Sequence, residues 1–360
     1  MVGRILYFFN FALKTNMQMD KRKVWIIVNP ISGVAQKDGI ADVVGEILPS
    51  DSYDCRICHT QYAGHGAVLA TMAVENGVDT VIAVGGDGTV NEVARSLVHS
   101  SASLGIVPCG SGNGLARHLQ IPLDLRKALE LVRAGNIVSI DYGLINERPF
   151  FCTCGMGYDA DVSYSFSCSG KRGLKTYIKN TLAGLAKYKP EAYTIIDNKG
   201  KHTYKAFCIA MANASQYGNN AYIAPEASMT DGLMDVTVIE PFPLVEAAAM
   251  AYMLFDGKFK EGAKHIKTFR TNRLTVVREQ PGVVHCDGDP MKTASVINVE
   301  MVHAGLKVIT DSDASAHPVP LYQTIGEQVG EQVKPVVSAS VAAFRLASQT
   351  IVDLFRQPKN

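Results

Sequence analysis

The chain has 360 residues, enough for two domains of ordinary size, and its 47% hydrophobic and 19% charged residues describe a core-forming globular protein, not a disordered or fibrous one. A formal net charge of +1 leaves no global field for nucleic acid or an anionic bilayer, which argues against nucleic acid as a partner and makes any membrane attraction local. Eight cysteines include a CxxC (Cys55, Cys58) and a CxC (Cys152, Cys154), but no second pair stands at ligand spacing, which points to free thiols in a reducing compartment.

Residues 1–21 read as a leader. Ile5, Phe8, Phe9, Ala12 and Leu13 would share one helical face between Arg4 and Lys14, the pattern of a weak interfacial anchor. The simpler reading is an unstructured leader, or an upstream start with Met17 or Met19 as the first residue. No cleavage site follows the apolar run, and no segment approaches the ~18–20 apolar residues needed to span a bilayer.

From there the chain alternates. Strands are predicted at 24–28, 53–59, 80–84 and 104–107, and helices at 39–48, 67–76 and 90–98. Such alternation predicts a parallel sheet with helices on both faces, with ligands bound at the glycine-rich turns after strand ends. Past Asp141 the texture changes to strand-like runs at 150–153, 193–196, 207–212, 234–239, 274–278 and 296–299. Turn residues separate them (Asn198-Lys199-Gly200, Asp231-Gly232, Asp287-Gly288), so this half is expected to be a mostly antiparallel β-sandwich with helical inserts at 171–187 and 244–255. The expected organisation is therefore an α/β domain over 22–140 and a β-rich domain over 141–311, with the active site in the cleft between them. In the tail, 318–360, Val329, Val333, Val336, Val337, Val341, Phe344, Ile351, Leu354 and Phe355 recur at helical spacing. This predicts an amphipathic helix that packs on its own protein, or serves a homodimer or a membrane contact.

Phosphate chemistry needs backbone N–H groups aimed at oxyanions and a carboxylate to organise a cation. Gly85-Gly86-Asp87-Gly88-Thr89-Val90-Asn91-Glu92 supplies both, with a helix N-terminus behind it. A GxGxxG fingerprint fails because Asn91 stands where its third glycine should be, and no GxxxxGK[ST] occurs. Two further loops close neighbouring strands: Asn29-Pro30-Ile31-Ser32-Gly33 and Pro108-Cys109-Gly110-Ser111-Gly112-Asn113-Gly114.

These three loops, in this order, resemble the diacylglycerol kinase catalytic-domain family, which includes bacterial lipid kinases, sphingosine kinases and ceramide kinases; the resemblance covers roughly residues 22–311. GGDGT alone is shared with NAD kinases and phosphofructokinases, whereas the other two loops look like the lipid branch. The resemblance implies an NAD-kinase-like first domain and an ATP site lined by Asn29, Pro30, Ile31, Ser32, Gly33, Thr60, Gly85, Gly86, Asp87, Gly88, Thr89, Val90, Asn91, Glu92, Gly110, Ser111, Gly112 and Asn113. It also implies a magnesium held by Asp231, Ser228 and Leu233. In the family a Glu two residues after the Asp of an Asp-Gly-Glu turn accepts the proton; here that turn reads Asp287-Gly288-Asp289, so Asp289 stands in its place, with Asp287 or Asp87 as alternatives. The implied activity is transfer of the γ-phosphate of ATP to a lipid hydroxyl with Mg2+, on a peripheral enzyme at the cytoplasmic face of the membrane. Lys21-Arg22-Lys23 and the two tails are its candidate membrane contacts.

The acceptor stays open. Asn113-Gly114-Leu115-Ala116 is similar to sphingosine and ceramide kinases, while Gly88-Thr89-Val90-Asn91 is closer to bacterial diacylglycerol kinases. Diacylglycerol leads over a sphingoid base, ceramide, phosphatidylglycerol or undecaprenol. Two other classes stand beside a lipid kinase: a kinase of a soluble substrate such as NAD, and a non-catalytic nucleotide-binding regulator, the latter motivated by the Glu-to-Asp departure at 289.

Overall fold

The computed structural model describes residues 21–32, 39–168 and 184–321. The leader helix, Gly33, most of the predicted helix 171–187 and the apolar stripe of the tail lie outside the described residues.

The first half alternates as its sequence suggests: β1 (Arg22–Val28), α1 (Ile40–Ile47), β2 (Tyr53–His59), α2 (His65–Glu75), β3 (Thr80–Gly85), α3 (Asp87–Leu97), β4 (Ser103–Pro108), α4 (Gly114–His118) and α5 (Leu125–Ala134). β1 to β4 pair parallel in the order β2-β1-β3-β4. β3 and β4 are buried at every residue, as strands covered on both faces must be. Ile26, Ile27, Ile82, Val84, Leu97, Leu104 and Leu129 form the centre of this core, each removing apolar surface that is worth about 1.5–3 kcal/mol.

The second half runs β5 (Ile137–Ile145), β6 (Arg148–Phe150), β7 (Thr153–Gly157), α6 (Tyr158–Cys168), β8 (Glu191–Asp197), β9 (Gly200–Ala206), β10 (Cys208–Ala212) and β11 (Met234–Ile239). After a 3-10 turn at Leu244–Glu246 come α7 (Ala247–Phe255), β12 (Ile266–Thr271), β13 (Arg273–Arg278), β14 (Gly282–Cys286), β15 (Asp289–Thr293) and β16 (Val296–Ile309). One antiparallel sheet has the order β12-β11-β10-β7-β14-β15. It packs against β5, β8, β13 and β16 through Ile145, Phe150, Met156, Tyr193, Met211, Val236, Val276, Val284 and Ile297, which makes the β-sandwich.

The two halves share a sheet. β16 pairs antiparallel with β13 and β5, then parallel with β4 at Val308↔Leu104, so the parallel sheet of the first half runs on into the sandwich. A division at residue 140/141 therefore cuts through β5. β16 bends between Val302 and Leu306, where Ala304 takes φ 51. Such a bulge re-aims a backbone group, and here it turns the Ala304 N–H onto the Asp141 carboxylate (2.7 Å).

Candidate active site

The three glycine loops meet at the C-terminal edge of the parallel sheet. Asn29 donates its backbone N–H to Val84 O (3.0 Å) and its side-chain Nδ2–H to Thr89 Oγ1 (3.1 Å), tying the end of β1 to the first turn of α3. Its Oδ1 accepts the Ile31 N–H and shapes the turn that leaves Ile31 81% exposed. Cys109 N–H reaches Gly85 O (2.7 Å), and a Cβ on Gly110 would lie 2.7 Å from Gly86 Cα. Only glycine permits that backbone contact between the second and third loops.

Asp87 and Asn113 lock the third loop. Asp87 Oδ1 accepts the Gly114 N–H (2.7 Å) and Oδ2 the Asn113 N–H (2.9 Å). Asn113 folds back on Gly110, accepting its N–H (2.9 Å) and donating to its carbonyl (2.8 Å). Glu92 works in the other direction: its two oxygens accept the Gly64 N–H (2.8 Å) and Gly66 N–H (3.0 Å) at the start of α2, where a carboxylate is favoured by the helix dipole. Thr60 is buried, and its N–H bonds Val28 O (2.9 Å). Val90 is a core side chain, 5% exposed. Among the expected nucleotide residues, then, Asp87, Glu92, Asn113 and Val90 build the cradle, while Gly88 and Ser111 are exposed on its surface. The amides of the first turn of a helix have no intrahelical acceptor, so α3 adds a positive terminus beneath the loops.

The second half closes on the third loop. Asn219 N–H donates to Gly112 O (3.1 Å), as does Arg117 Nε–H (3.1 Å). His118, at the end of α4, accepts the Ser215 N–H at Nδ1 (3.0 Å) and donates from Nε2 to Ala314 O (3.0 Å). Burial pushes its imidazole down to about 4, so it is neutral at pH 7.

The hairpin turn between β14 and β15 carries the other two expected carboxylates. Asp287 (φ 50) and Gly288 (φ 84) both take the left-handed conformation of a two-residue turn. Asp287 is engaged: Phe151, Cys152 and Thr153 donate their N–H groups to its carboxylate at 2.8, 2.8 and 3.0 Å. Burial raises its pKa and the three amides pull it back, with a net rise. Asp289 is exposed and makes one ion pair, with Arg148 at 3.2 Å. Burial pushes the Cys152 thiol well above its ordinary value, and Asp287 and Asp87 add to the rise, while its carbonyl accepts the Asn213 and Ala214 N–H groups (2.9 and 3.0 Å). Among the described residues the cysteines are free; burial raises the thiols of Cys154 and Cys208 well above their ordinary value and that of Cys286 to about 12, which makes them inert packing groups.

The proposed cation loop precedes β11. Ser228 bridges to Ser315, Met229 N–H bonds Ala314 O (2.9 Å), and Asp231 Oδ1 accepts the Leu233 N–H (3.0 Å) while its Oδ2 lies 3.6 Å from Arg270. Beneath it sits Asp141, fully buried in β5, which sequence reasoning missed. Its oxygens accept the Gly232 N–H (2.7 Å) and the Ala304 N–H (2.7 Å), and His303 Nδ1 stands 2.7 Å away. The signal was available: a lone carboxylate inside the apolar run 137–145 has to be paired once buried. Asn213 was missed too. Its Nδ2 donates to Asp141 O (2.8 Å) and Phe151 O (2.9 Å), joining the loop around Asp231 to the turn that holds Asp287.

One carboxylate with backbone carbonyls is an all-oxygen donor set suited to a hard cation. No group of three or more His, Cys, Asp or Glu residues clusters among the described residues, so a cation here would draw on carbonyls and water. Three surface cavities lie beside Val44 and Tyr53, Asn146 and Arg273, and Tyr204 and Phe269, and none of these three is lined by a described glycine-loop residue.

Comparison with known proteins agrees with this geometry. Residues 23–145 match the family described as diacylglycerol kinase catalytic domain, and residues 152–310 match the YegS C-terminal NAD kinase beta sandwich-like domain. A relative in Pectobacterium atrosepticum, described as "Probable lipid kinase YegS-like", is 26% identical over 80% of this chain and 96% of its own. A relative of the same description in Klebsiella pneumoniae is 31% identical over 56% of this chain and 69% of its own. A crystal structure described as a diacylglycerol kinase from Bacillus anthracis superposes with a TM-score of 0.63 at 20% identity, covering 82% of this chain and 99% of that one, which supports the fold.

Proposed function

Because the chain belongs to the lipid kinase family that joins a diacylglycerol kinase catalytic domain to a YegS-type C-terminal domain, we propose that it transfers the γ-phosphoryl group of ATP to a lipid hydroxyl, with diacylglycerol as the leading acceptor. The observation that carries this reading is the way residues 213–219 tie the glycine loops to the turn around Asp287 and Asp289: Asn213 bonds Phe151 O beside Asp287, the Ser215 N–H bonds His118, and the Asn219 N–H bonds Gly112 O.

In this reading the polyphosphate lies on the amides of the three loops and the start of α3. Asp87 and Asp287 already hold backbone amides through both carboxylate oxygens, so they shape the site. Asp289, exposed and paired among the described residues with Arg148, is the carboxylate left to accept a proton. The lipid oxygen forms a bond to the γ-phosphorus, its proton passes to Asp289, and the bond from the γ-phosphorus to the bridging oxygen breaks with its electron pair leaving on ADP. Positioning and charge neutralisation dominate such a transfer. A magnesium ion bound through Asp231 and the carbonyls of Ser228 and Leu233 would supply fixed positive charge on that side of the site. The acceptor is membrane-borne, and no helix among the described residues is long and apolar enough to cross a membrane, so peripheral contact with the bilayer fits this reading.

The test is transfer of radiolabelled γ-phosphate from ATP to diacylglycerol, sphingosine, ceramide, phosphatidylglycerol and undecaprenol, each in separate mixed micelles, with NAD as the soluble control. Label in one lipid, lost in Asp289→Asn, is the expected result. Label in NAD alone would move the function to a soluble acceptor, and ATP binding without any labelled product would make the chain a regulator.

A further inference from the structure

The turn at Asp287 and Gly288 rests on side chains that the phosphate motifs do not include. His285, buried in β14, accepts the Gly288 N–H at Nδ1 across a long bond (3.4 Å), and its Nε2 stands 3.1 Å from Asp159 Oδ2. A backbone N–H can only donate, so Nδ1 carries no proton and Nε2–H donates to the carboxylate. The Tyr217 hydroxyl donates to the same Oδ2 (3.0 Å), and the Tyr217 ring meets the imidazole edge-on at 5.9 Å between centroids. The sheet makes room for this group. Gly155 in β7 lies opposite His285, and a Cβ there would stand 2.5 Å from Asp159 Oδ2 and 2.8 Å from His285 Nε2. Only glycine lets the carboxylate and the imidazole meet across that strand. At its other end the group reaches the third glycine loop. Tyr217 is followed by Gly218, where a Cβ would lie 3.0 Å from Gly112 Cα, and by Asn219, whose N–H bonds Gly112 O (3.1 Å).

A buried histidine paired with a carboxylate often does no more than satisfy its own polar atoms. This one spends its second nitrogen on the amide between Asp287 and Asp289, in a turn whose glycine is otherwise its most permissive residue. We propose that Tyr217, Asp159 and His285 are positioning residues for the phosphoryl transfer. Asp159, steadied by Tyr217, keeps the imidazole in its Nε2–H tautomer; Nδ1 then fixes the Gly288 amide, and the turn holds Asp289 in one orientation relative to the third glycine loop. Asp289 has a shorter reach than the Glu of the family pattern, so its direction has less slack. This rests on the lipid-kinase reading for the reaction that the turn serves, whereas the state of the turn is measurable without turnover.

Three variants of the full chain separate the steps. Asp159→Asn keeps the shape, but its NH2 group can donate to Nε2 and drive the proton to Nδ1, where it faces the Gly288 N–H donor to donor. His285→Asn puts an oxygen near the place of Nδ1 and keeps an acceptor for Gly288. His285→Gln reaches toward Asp159 in the place of Nε2 and leaves Gly288 without one. The measurements are kcat and KM for ATP with the accepting lipid, unfolding temperature, the imidazole nitrogen shifts and exchange of the Gly288 amide. Wild type is expected to show an unprotonated Nδ1 on His285. Asp159→Asn and His285→Gln should each lose about tenfold to a hundredfold in kcat with KM for ATP unchanged, and exchange the Gly288 amide faster. His285→Asn should keep more kcat than His285→Gln, whichever of the two melts lower. A loss of kcat that follows unfolding temperature across the three variants overturns the proposal and makes the group structural. A Gly288 amide equally protected in all of them, or a wild-type proton on Nδ1, overturns it too. If wild type labels no acceptor, the kinase reading falls alone, and the nitrogen shifts with the Gly288 amide decide whether these residues set the turn.

Discussion

Replacing Asp87 by Asn tests whether this residue is chemistry or scaffold. Asp87 holds the third glycine loop through two charge-assisted bonds, 2.7 Å from the Gly114 N–H and 2.9 Å from the Asn113 N–H. Hydrogen bonds to charged groups contribute about 1.5–3 kcal/mol each. An amide keeps one acceptor oxygen, so one bond survives in neutral form, and its NH2 group then faces the other backbone N–H donor-to-donor. Asp87 is half-buried, which places the expected loss at the low end, about 2 kcal/mol or slightly more. Urea unfolding would read that loss as a lower midpoint at constant slope. Amide exchange at Gly114 should rise in the native state, and ATP affinity should fall with stability. Asp289→Asn is the control, since its carboxylate is exposed and held by one surface ion pair, so its stability should stay within about 0.5 kcal/mol of wild type. An Asp87→Asn protein as stable as wild type, with Gly114 equally protected, would refute the scaffold role and return Asp87 to the reaction itself.

Gly110→Ala places a methyl group 2.7 Å from Gly86 Cα and 2.8 Å from Asn113 Oδ1, so it should lower stability by about 1–3 kcal/mol and weaken ATP in a titration, with a silent substitution arguing against backbone packing of the two loops. The buried His118 has a folded pKa of about 4 against 6.5 unfolded, so its contribution is fully present above pH 6.5 and is lost as pH falls toward 4, by about 3 kcal/mol at 1.36 kcal/mol per unit. Asp235, pushed up to about 6 by burial against the pull of Arg270, works oppositely and loses stability as pH rises from 3.8 to 6. The two offset in the wild type, so the gap in urea stability between wild type and His118→Asn should narrow steadily from pH 7 to pH 4.5; a constant gap would contradict a neutral buried imidazole. Asp289→Glu restores the reach of one methylene; turnover with lipid should rise or hold while KM for ATP stays unchanged, and loss of turnover would show that the turn is built for Asp.

The parts of this protein legible in the sequence are those written in local chemistry. Asn29, the Gly85 to Glu92 motif and the loop around Asn113 could be read because glycines at strand ends have few other uses, and Arg22–Val28 and Thr80–Gly85 because their apolar runs are unbroken. Asp141 escaped because its partners, Gly232 and Ala304, lie 91 and 163 residues away. β16 was visible only over 296–299, since Glu300, His303 and Lys307 and the bulge at Ala304 destroy its alternation, and with it went the continuity of the two sheets. β9 is polar and exposed along most of an edge, so it carries no apolar signal. α6 buries Tyr158, Ala160, Val162 and Ser163, a set without a helical stripe. The roles of Asp87 and Glu92 in holding backbone were equally hidden, because a motif shows which carboxylates are present and not which amides they meet.

The central claim is tested most directly by following ADP release and labelled lipid together while the diacylglycerol content of mixed micelles is varied. The account predicts that ADP release depends on the lipid, rises to saturation with it, and matches the labelled phospholipid one to one. ADP release at full rate without lipid, or with no label entering any lipid, would contradict it.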